Sequence, residues 1–165
     1  MNNKKALRMA VTLAIMNMPL LAQAADVSPV RITDGSTYTI TADSVINTGS
    51  NTTGIFVGYK DGGTIVGDNV TVTSDGYGIQ IQTYATGGVA GSGDCSIELG
   101  KTIVDAKSSA VRLDSSSYGQ KAKVILGAGS ILNSSANSAV YVTGKDSLLQ
   151  IGDDSTVTGN SNGAT

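Results

Sequence analysis

The stretch Ile97-Glu98-Leu99-Gly100-Lys101-Thr102-Ile103-Val104-Asp105-Ala106-Lys107-Ser108-Ser109-Ala110-Val111-Arg112-Leu113 decides the fold. It holds three short apolar signals: Ile97-x-Leu99, Ile103-Val104 and Val111-x-Leu113. Alternation with period 2 sends one set of side chains inward and the other outward, as in a strand half buried on one face. Gly100 and the small run Ser108-Ser109-Ala110 punctuate the signals, where a chain turns most easily. One such unit cannot bury its own apolar face, so the fold turns on whether it repeats.

It does. The pattern small-apolar-x-apolar recurs as Gly54-Ile55-Phe56-Val57, Gly78-Ile79-Gln80-Ile81, Ala110-Val111-Arg112-Leu113 and Ala139-Val140-Tyr141-Val142, and the chain stops inside a fifth copy at Gly163-Ala164-Thr165. A second pattern, apolar-x-apolar-Gly, keeps phase with it at Ile97–Gly100, Val124–Gly127 and Leu149–Gly152. Ile65-Val66-Gly67 reads as a compressed copy and Tyr38-Thr39-Ile40-Thr41 as a first copy lacking its Gly. Each is followed by a third apolar patch: Val45-Ile46, Val70-Thr71-Val72, Ile103-Val104, Ile131-Leu132 and Thr156-Val157. Gly, Thr and Ser abound while Leu and Glu are few, which disfavours helices. The reading is all-β: a right-handed parallel β-helix of about four to five coils, each strand pairing with its counterpart one coil later. A β-sandwich of similar strands would not require three motifs to stay in phase. Aligned small residues before the first strand of each coil suit tight corners. Stability is expected to peak around 100–142 and to fall in the terminal coils, which lack a neighbour on one side.

Composition narrows the chemistry. The 165 residues hold 21 Gly, and Lys+Arg 11 against Asp+Glu 13 is no footprint of a nucleic-acid binder. With no His the commonest general base and metal ligand is missing. The single Cys, Cys95, has no partner for an internal disulfide and reads as a small buried apolar residue. No metal ligand set, cofactor site or catalytic set is expected.

The first 24 residues read as an address. Lys4, Lys5 and Arg8 precede a mostly apolar run, Met9–Leu21, and Ala22-Gln23-Ala24 offers a small-x-small cleavage pattern before Ala25. These are the three regions of a secretory signal peptide, and the run is too short to span a membrane. Cleavage between Ala24 and Ala25 removes three positive charges and no negative one, leaving 8 basic and 13 acidic residues, net −5. Residues 25–37 are expected as a lead-in and 38–165 as the β-helix.

Signal peptide followed by Gly/Ser/Thr/Asn-rich coils of the form Gly-Ile-x-Val … Ile-x-Leu-Gly … Thr-Val resembles the N-terminal passenger region of pertactin-like autotransporter adhesins of Gram-negative bacteria. The resemblance covers roughly Tyr38 to Thr165. It implies a non-enzymatic exported passenger acting in adhesion, self-association or biofilm formation, whose partners are a host surface or matrix component, or like copies on neighbouring cells. It implies export through the inner membrane. A full-length form would lie at the cell surface or outside the cell; a truncated one would be periplasmic or secreted. The family's outer-membrane barrel has no counterpart here, and the end within a repeat is read as C-terminal truncation.

The alternative is a fragment of a β-helical polysaccharide lyase or hydrolase. Its candidate groups are Asp105, Lys107, Arg112 and Asp114, with Glu98, the only Glu, outward on its strand. Gly91-Ser92-Gly93-Asp94 and Asp153-Asp154 are weak calcium signals, better read as turns. Thr71-Val72-Thr73 and Thr156-Val157-Thr158 form Thr-x-Thr units interrupted by Ile103-Val104-Asp105 and Ile131-Leu132-Asn133, a broken ladder. The strongest binding candidate is the insertion between Ile81 and Ile97. Its Tyr84 and Thr86, with Tyr59 and Tyr77 expected on adjacent corners, form a possible ligand-contact loop. Asp114–Gly119 is a smaller protrusion in which Tyr118 covers a coil edge.

Overall fold

The computed structural model describes residues 24–59, 61–83, 93–115 and 120–160. The expected signal peptide, apart from Ala24, lies outside the described residues. The chain winds in coils of three strands. The first coil is β1 (Ala25–Val27), β2 (Val30–Ile32) and β3 (Thr37–Thr39); the second is β4 (Ser44–Thr48), β5 (Ile55–Gly58) and β6 (Gly63–Gly67). The third is β7 (Val70–Ser74), β8 (Ile79–Thr83) and β9 (Cys95–Leu99). The fourth is β10 (Thr102–Ala106), β11 (Val111–Ser115) and β12 (Ala122–Leu126). The fifth is β13 (Ile131–Ser134), β14 (Val140–Thr143) and β15 (Ser147–Ile151), and β16 (Thr156–Thr158) opens a sixth.

Every third strand is a hydrogen-bonded neighbour. Sheet A runs β1-β4-β7-β10-β13-β16, sheet B β2-β5-β8-β11-β14 and sheet C β3-β6-β9-β12-β15, all parallel. The architecture is a right-handed parallel β-helix, the hand that parallel crossovers take. The three sequence patterns each fall on one sheet. Residues 25–37 are not a lead-in: β1 pairs with β4 and β2 with β5, so coiling starts at Ala25.

Alternation explains the core. On sheet A the inward row is Ile46, Val72, Val104 and Leu132, all fully buried and in register. Sheet B contributes Ile55, Ile79 and Val111 beside Val57, Ile81 and Leu113, and sheet C contributes Ile65, Ile97 and Val124. Each such side chain stabilises by roughly 1.5–3 kcal/mol before chain entropy is subtracted. Cover is as complete over β5–β9 as over β10–β13. The well-packed part therefore reaches farther toward the N-terminus than residue 100. It ends at β14–β16, where the inward Leu149 and Ile151 are only half-buried and Val157 is 38% exposed, because each coil needs a neighbour on both sides.

Corners follow side-chain size. A Cβ on Gly78 would collide with Val104 Cγ1 of the next coil and lie 2.8 Å from the Ala110 carbonyl oxygen. The second pattern differs in one copy. Gly67 pairs with Leu99, not Gly100, and so stands in a row of core side chains; a Cβ there would sit 3.1 Å from Ile40 and 3.2 Å from Leu99. Residue 68, an Asp, occupies the position of the corner glycines Gly100, Gly127 and Gly152. Buried hydroxyls close the turn from sheet C to sheet A. Ser130 Oγ donates to the Gly127 carbonyl at 2.7 Å and accepts the Thr102 N–H at 3.1 Å, and Ser155 repeats the pattern one coil on.

Candidate functional site

Arg31, Phe56, Gln80, Arg112 and Tyr141 stand in one register line across sheet B, each at an outward position. An outward residue on a solenoid ordinarily meets water, yet Phe56 is 3% exposed and Gln80 8%. The cover comes from the line itself and from the corners beside it. Arg31 lays its guanidinium 4.0 Å above the Phe56 ring centre and 5.0 Å from that of Tyr59, and the two rings lie 5.3 Å apart at 50°. Thr53 Oγ1 donates to Gln80 Oε1 at 2.9 Å. Arg112 lies 5.0 Å from the Tyr77 ring centre and 5.2 Å from that of Tyr141; it donates to the Tyr77 hydroxyl at 2.5 Å and to Asp114 at 3.2 Å. Burial alone would pull the Arg112 guanidinium down, but Asp114 and Tyr77 outweigh it and hold the group above its ordinary value.

Tyr59 and Tyr77 thus flank sheet B on its two corners, over the same outer face, with Tyr59 against Arg31 and Tyr77 against Arg112. Tyr59 adopts φ 63°, a left-handed conformation that is costly for a bulky side chain. Two hydrogen bonds hold it there. Its N–H donates to the Gln82 carbonyl at 2.9 Å, and its carbonyl accepts from Gln120 Nε2 at 3.0 Å. Gln120, itself 2% exposed, also donates to the Gly93 carbonyl at 2.7 Å and so ties three coils together at this corner. Corner length varies most here: β5 to β6 is joined by 59–62, β8 to β9 by 84–94, β11 to β12 by 116–121 and β14 to β15 by 144–146. The insertion expected in the sequence falls at this corner, while Tyr84, Thr86 and Tyr118 lie outside the described residues.

The catalytic candidates are not brought together. Asp105 sits on the outer face of sheet A, accepting from Asn133 Nδ2 at 2.8 Å, and Lys107 is exposed just past the end of β10. Arg112 and Asp114 lie on sheet B and bind each other. Glu98, outward on sheet C, pairs with Lys123; that contact and the Ser96 hydroxyl hold its carboxyl below the ordinary range. Asp153 and Asp154 form a turn in which Asp154 takes φ 56°. The Thr-x-Thr units align with Ile103/Asp105 and Ile131/Asn133, so the ladder is interrupted as its sequence suggests. Cys95 faces the core, and burial, with the charge of Asp94 adding, pushes its thiol up to about 12. Among the described residues no group of three His, Cys, Asp or Glu could hold a metal ion, and no helix is long and apolar enough to cross a membrane.

Sequence reasoning missed Arg31, Phe56 and Gln120. Arg31 lay in the supposed lead-in, and Gln120 follows a loop whose partners are distant in sequence. Phe56, the only Phe in the chain, was legible as a motif residue but was read as an ordinary outward position. No protein family, curated protein or solved structure matches the chain.

Proposed function

We propose that the chain is a non-enzymatic exported passenger of the autotransporter kind, a surface adhesin that binds through the outer face of sheet B and the corner loops beside it. The observation that carries this reading is the Arg–aromatic layer on that face, where outward residues are buried under rings and guanidinium groups. Such amphipathic, rigid side chains supply contact area at low entropic cost. The N-terminal pattern Lys4 to Ala24 supports export, and the start of β1 at Ala25 fits a mature chain trimmed there. The lyase or hydrolase alternative asks for carboxylates or an acid–base pair converging on one open site. Asp105 and Asp114 instead sit on different sheets.

Expression of the full chain in a Gram-negative host tests the reading. Fractionation should place the product beyond the inner membrane, and N-terminal sequencing should begin at Ala25. Attachment of the product to cells or matrix should survive loss of the Asp105 carboxylate, which lies on sheet A. Cytoplasmic product with Met1 intact would overturn export, and catalytic turnover of a polysaccharide would overturn the non-enzymatic part.

A further inference from the structure

Two arginines lie on the same register line, three strand spacings apart, which is about 14 Å. They are in opposite states. Arg112 is spent within the protein, on Tyr77 and Asp114. Arg31 is exposed, and among the described residues it has neither a hydrogen-bond acceptor nor a carboxylate partner. Its guanidinium carbon lies 4.0 Å over the Phe56 ring centre and 5.0 Å from that of Tyr59. A guanidinium held over a ring by a cation–π contact still has N–H donors to offer, in the planar fork that matches a carboxylate or sulfate bidentately. That contact also removes much of the rotamer freedom that a free arginine loses on binding.

The shelf under Arg31 is built at a cost. Tyr59 holds a left-handed backbone that a bulky residue rarely adopts, and Gln82 and the buried Gln120 clamp it on both sides. The result is a ring surface and a cation side by side on a fixed frame.

We propose that Arg31, shelved on Phe56 and Tyr59, receives the anionic group of an acidic polysaccharide lying along sheet B. This rests on the reading of sheet B as the binding face and names its ligand class. A sugar acid or sugar sulfate carries an anion and a C–H-rich ring face in one rigid unit, which matches a guanidinium beside a tyrosine ring. An acidic peptide holds its carboxylates on flexible stems and offers the ring nothing. A lipid surface calls for a cluster of basic residues, and after loss of 1–24 the chain has 8 basic residues against 13 acidic.

The test measures binding of the full chain to polygalacturonate, dextran sulfate, neutral dextran and polyglutamate by calorimetry at low and high salt. One or both acidic sugars should bind, more weakly at high salt, and neutral dextran should not; which of the two binds tells carboxylate from sulfate. Arg31→Met, which keeps an apolar cover on Phe56, should melt with the wild type and lose tenfold or more in affinity. Arg31→Lys should lose part of that, and Lys107→Met should bind as the wild type. Equal binding by Arg31→Met, tighter or equal binding of polyglutamate, or no binding of either acidic sugar would each overturn the proposal. Arg31-independent sugar binding would remove this site while leaving the adhesive reading in place. A cytoplasmic product would remove the adhesive reading and leave the measured shelf.

Discussion

The outer faces of sheets A and B share one backbone plan and one register, yet differ in kind. On sheet A the outward rows are Val45, Thr71, Ile103, Ile131 and Thr156, beside Asn47, Thr73, Asp105, Asn133 and Thr158. All are half-buried or exposed. On sheet B, outward Phe56 and Gln80 are buried as deeply as core residues. The corners make much of this difference, with Arg31 on β2 adding to the cover. Sheet A is bounded by tight turns whose hydroxyls, those of Ser74, Ser130, Ser134 and Ser155, point back at the backbone. Sheet B is bounded by corners that send Tyr59 and Tyr77 over its face. In a solenoid, then, strand register sets the inside, while outward strand residues and the corners beside them together set the chemistry of the outside.

The sharpest way to break this comparison is a pair of truncations at outward positions. Phe56→Ala should cost about 3 kcal/mol, as for a buried aromatic, whereas Ile103→Ala on sheet A should cost about 1 kcal/mol. Urea midpoints measure both, and equal losses would mean that the sheet B layer contributes no packing of its own.

Gln120→Ala comes next. It strips the Tyr59 and Gly93 carbonyls of a buried donor, and the expected loss is about 2 kcal/mol. Hydrogen exchange should show the Tyr59 amide opening faster in the variant while amides of sheet A keep their protection; uniform acceleration across both sheets would contradict a corner-specific clamp.

Ser130→Ala probes the tight corner of sheet A. It removes the bond to the Gly127 carbonyl and leaves the Thr102 N–H unpaired, for about 1–2 kcal/mol. An unchanged urea midpoint would show that the hydroxyl row is ornament and not closure.

The smallest effect belongs to sheet C, where the outward Glu98 pairs with Lys123. The Glu98 carboxyl is depressed when folded, so its contribution is present above the unfolded pKa and is lost as pH falls through the lower folded one. Both partners are well exposed, so the effect stays below about 1 kcal/mol. Lys123→Met should move the Glu98 titration upward by NMR; a midpoint that does not move would deny the ion pair its role.

Residue patterns alone carried the architecture. Inward Ile, Val and Leu recur with period 2 inside a longer repeat, and only neighbouring parallel coils let three such patterns stay in phase, so Ile55–Val57, Ile97–Leu99 and Ile103–Val104 could be assigned without coordinates. The outward, polar positions of Arg112 and Glu98 followed from the same alternation, whereas the buried Cys95 followed from its having no partner for an internal disulfide. The first coil was hidden because Val27, Val30 and Ile32 lie in a segment without the small-residue corner that marks later coils. The Gly67 position was misread because a glycine looks the same at a corner and inside a core row. The ring-covered outer face of sheet B was out of reach for a different reason. Arg31 meets Phe56 and Tyr59 one coil away, and Gln120 meets Tyr59 across 61 positions. Period-2 spacing tells which way a side chain leaves its strand, but not what folds back over it. That depends on corner conformation and coil stacking, which arise only when the whole solenoid is assembled.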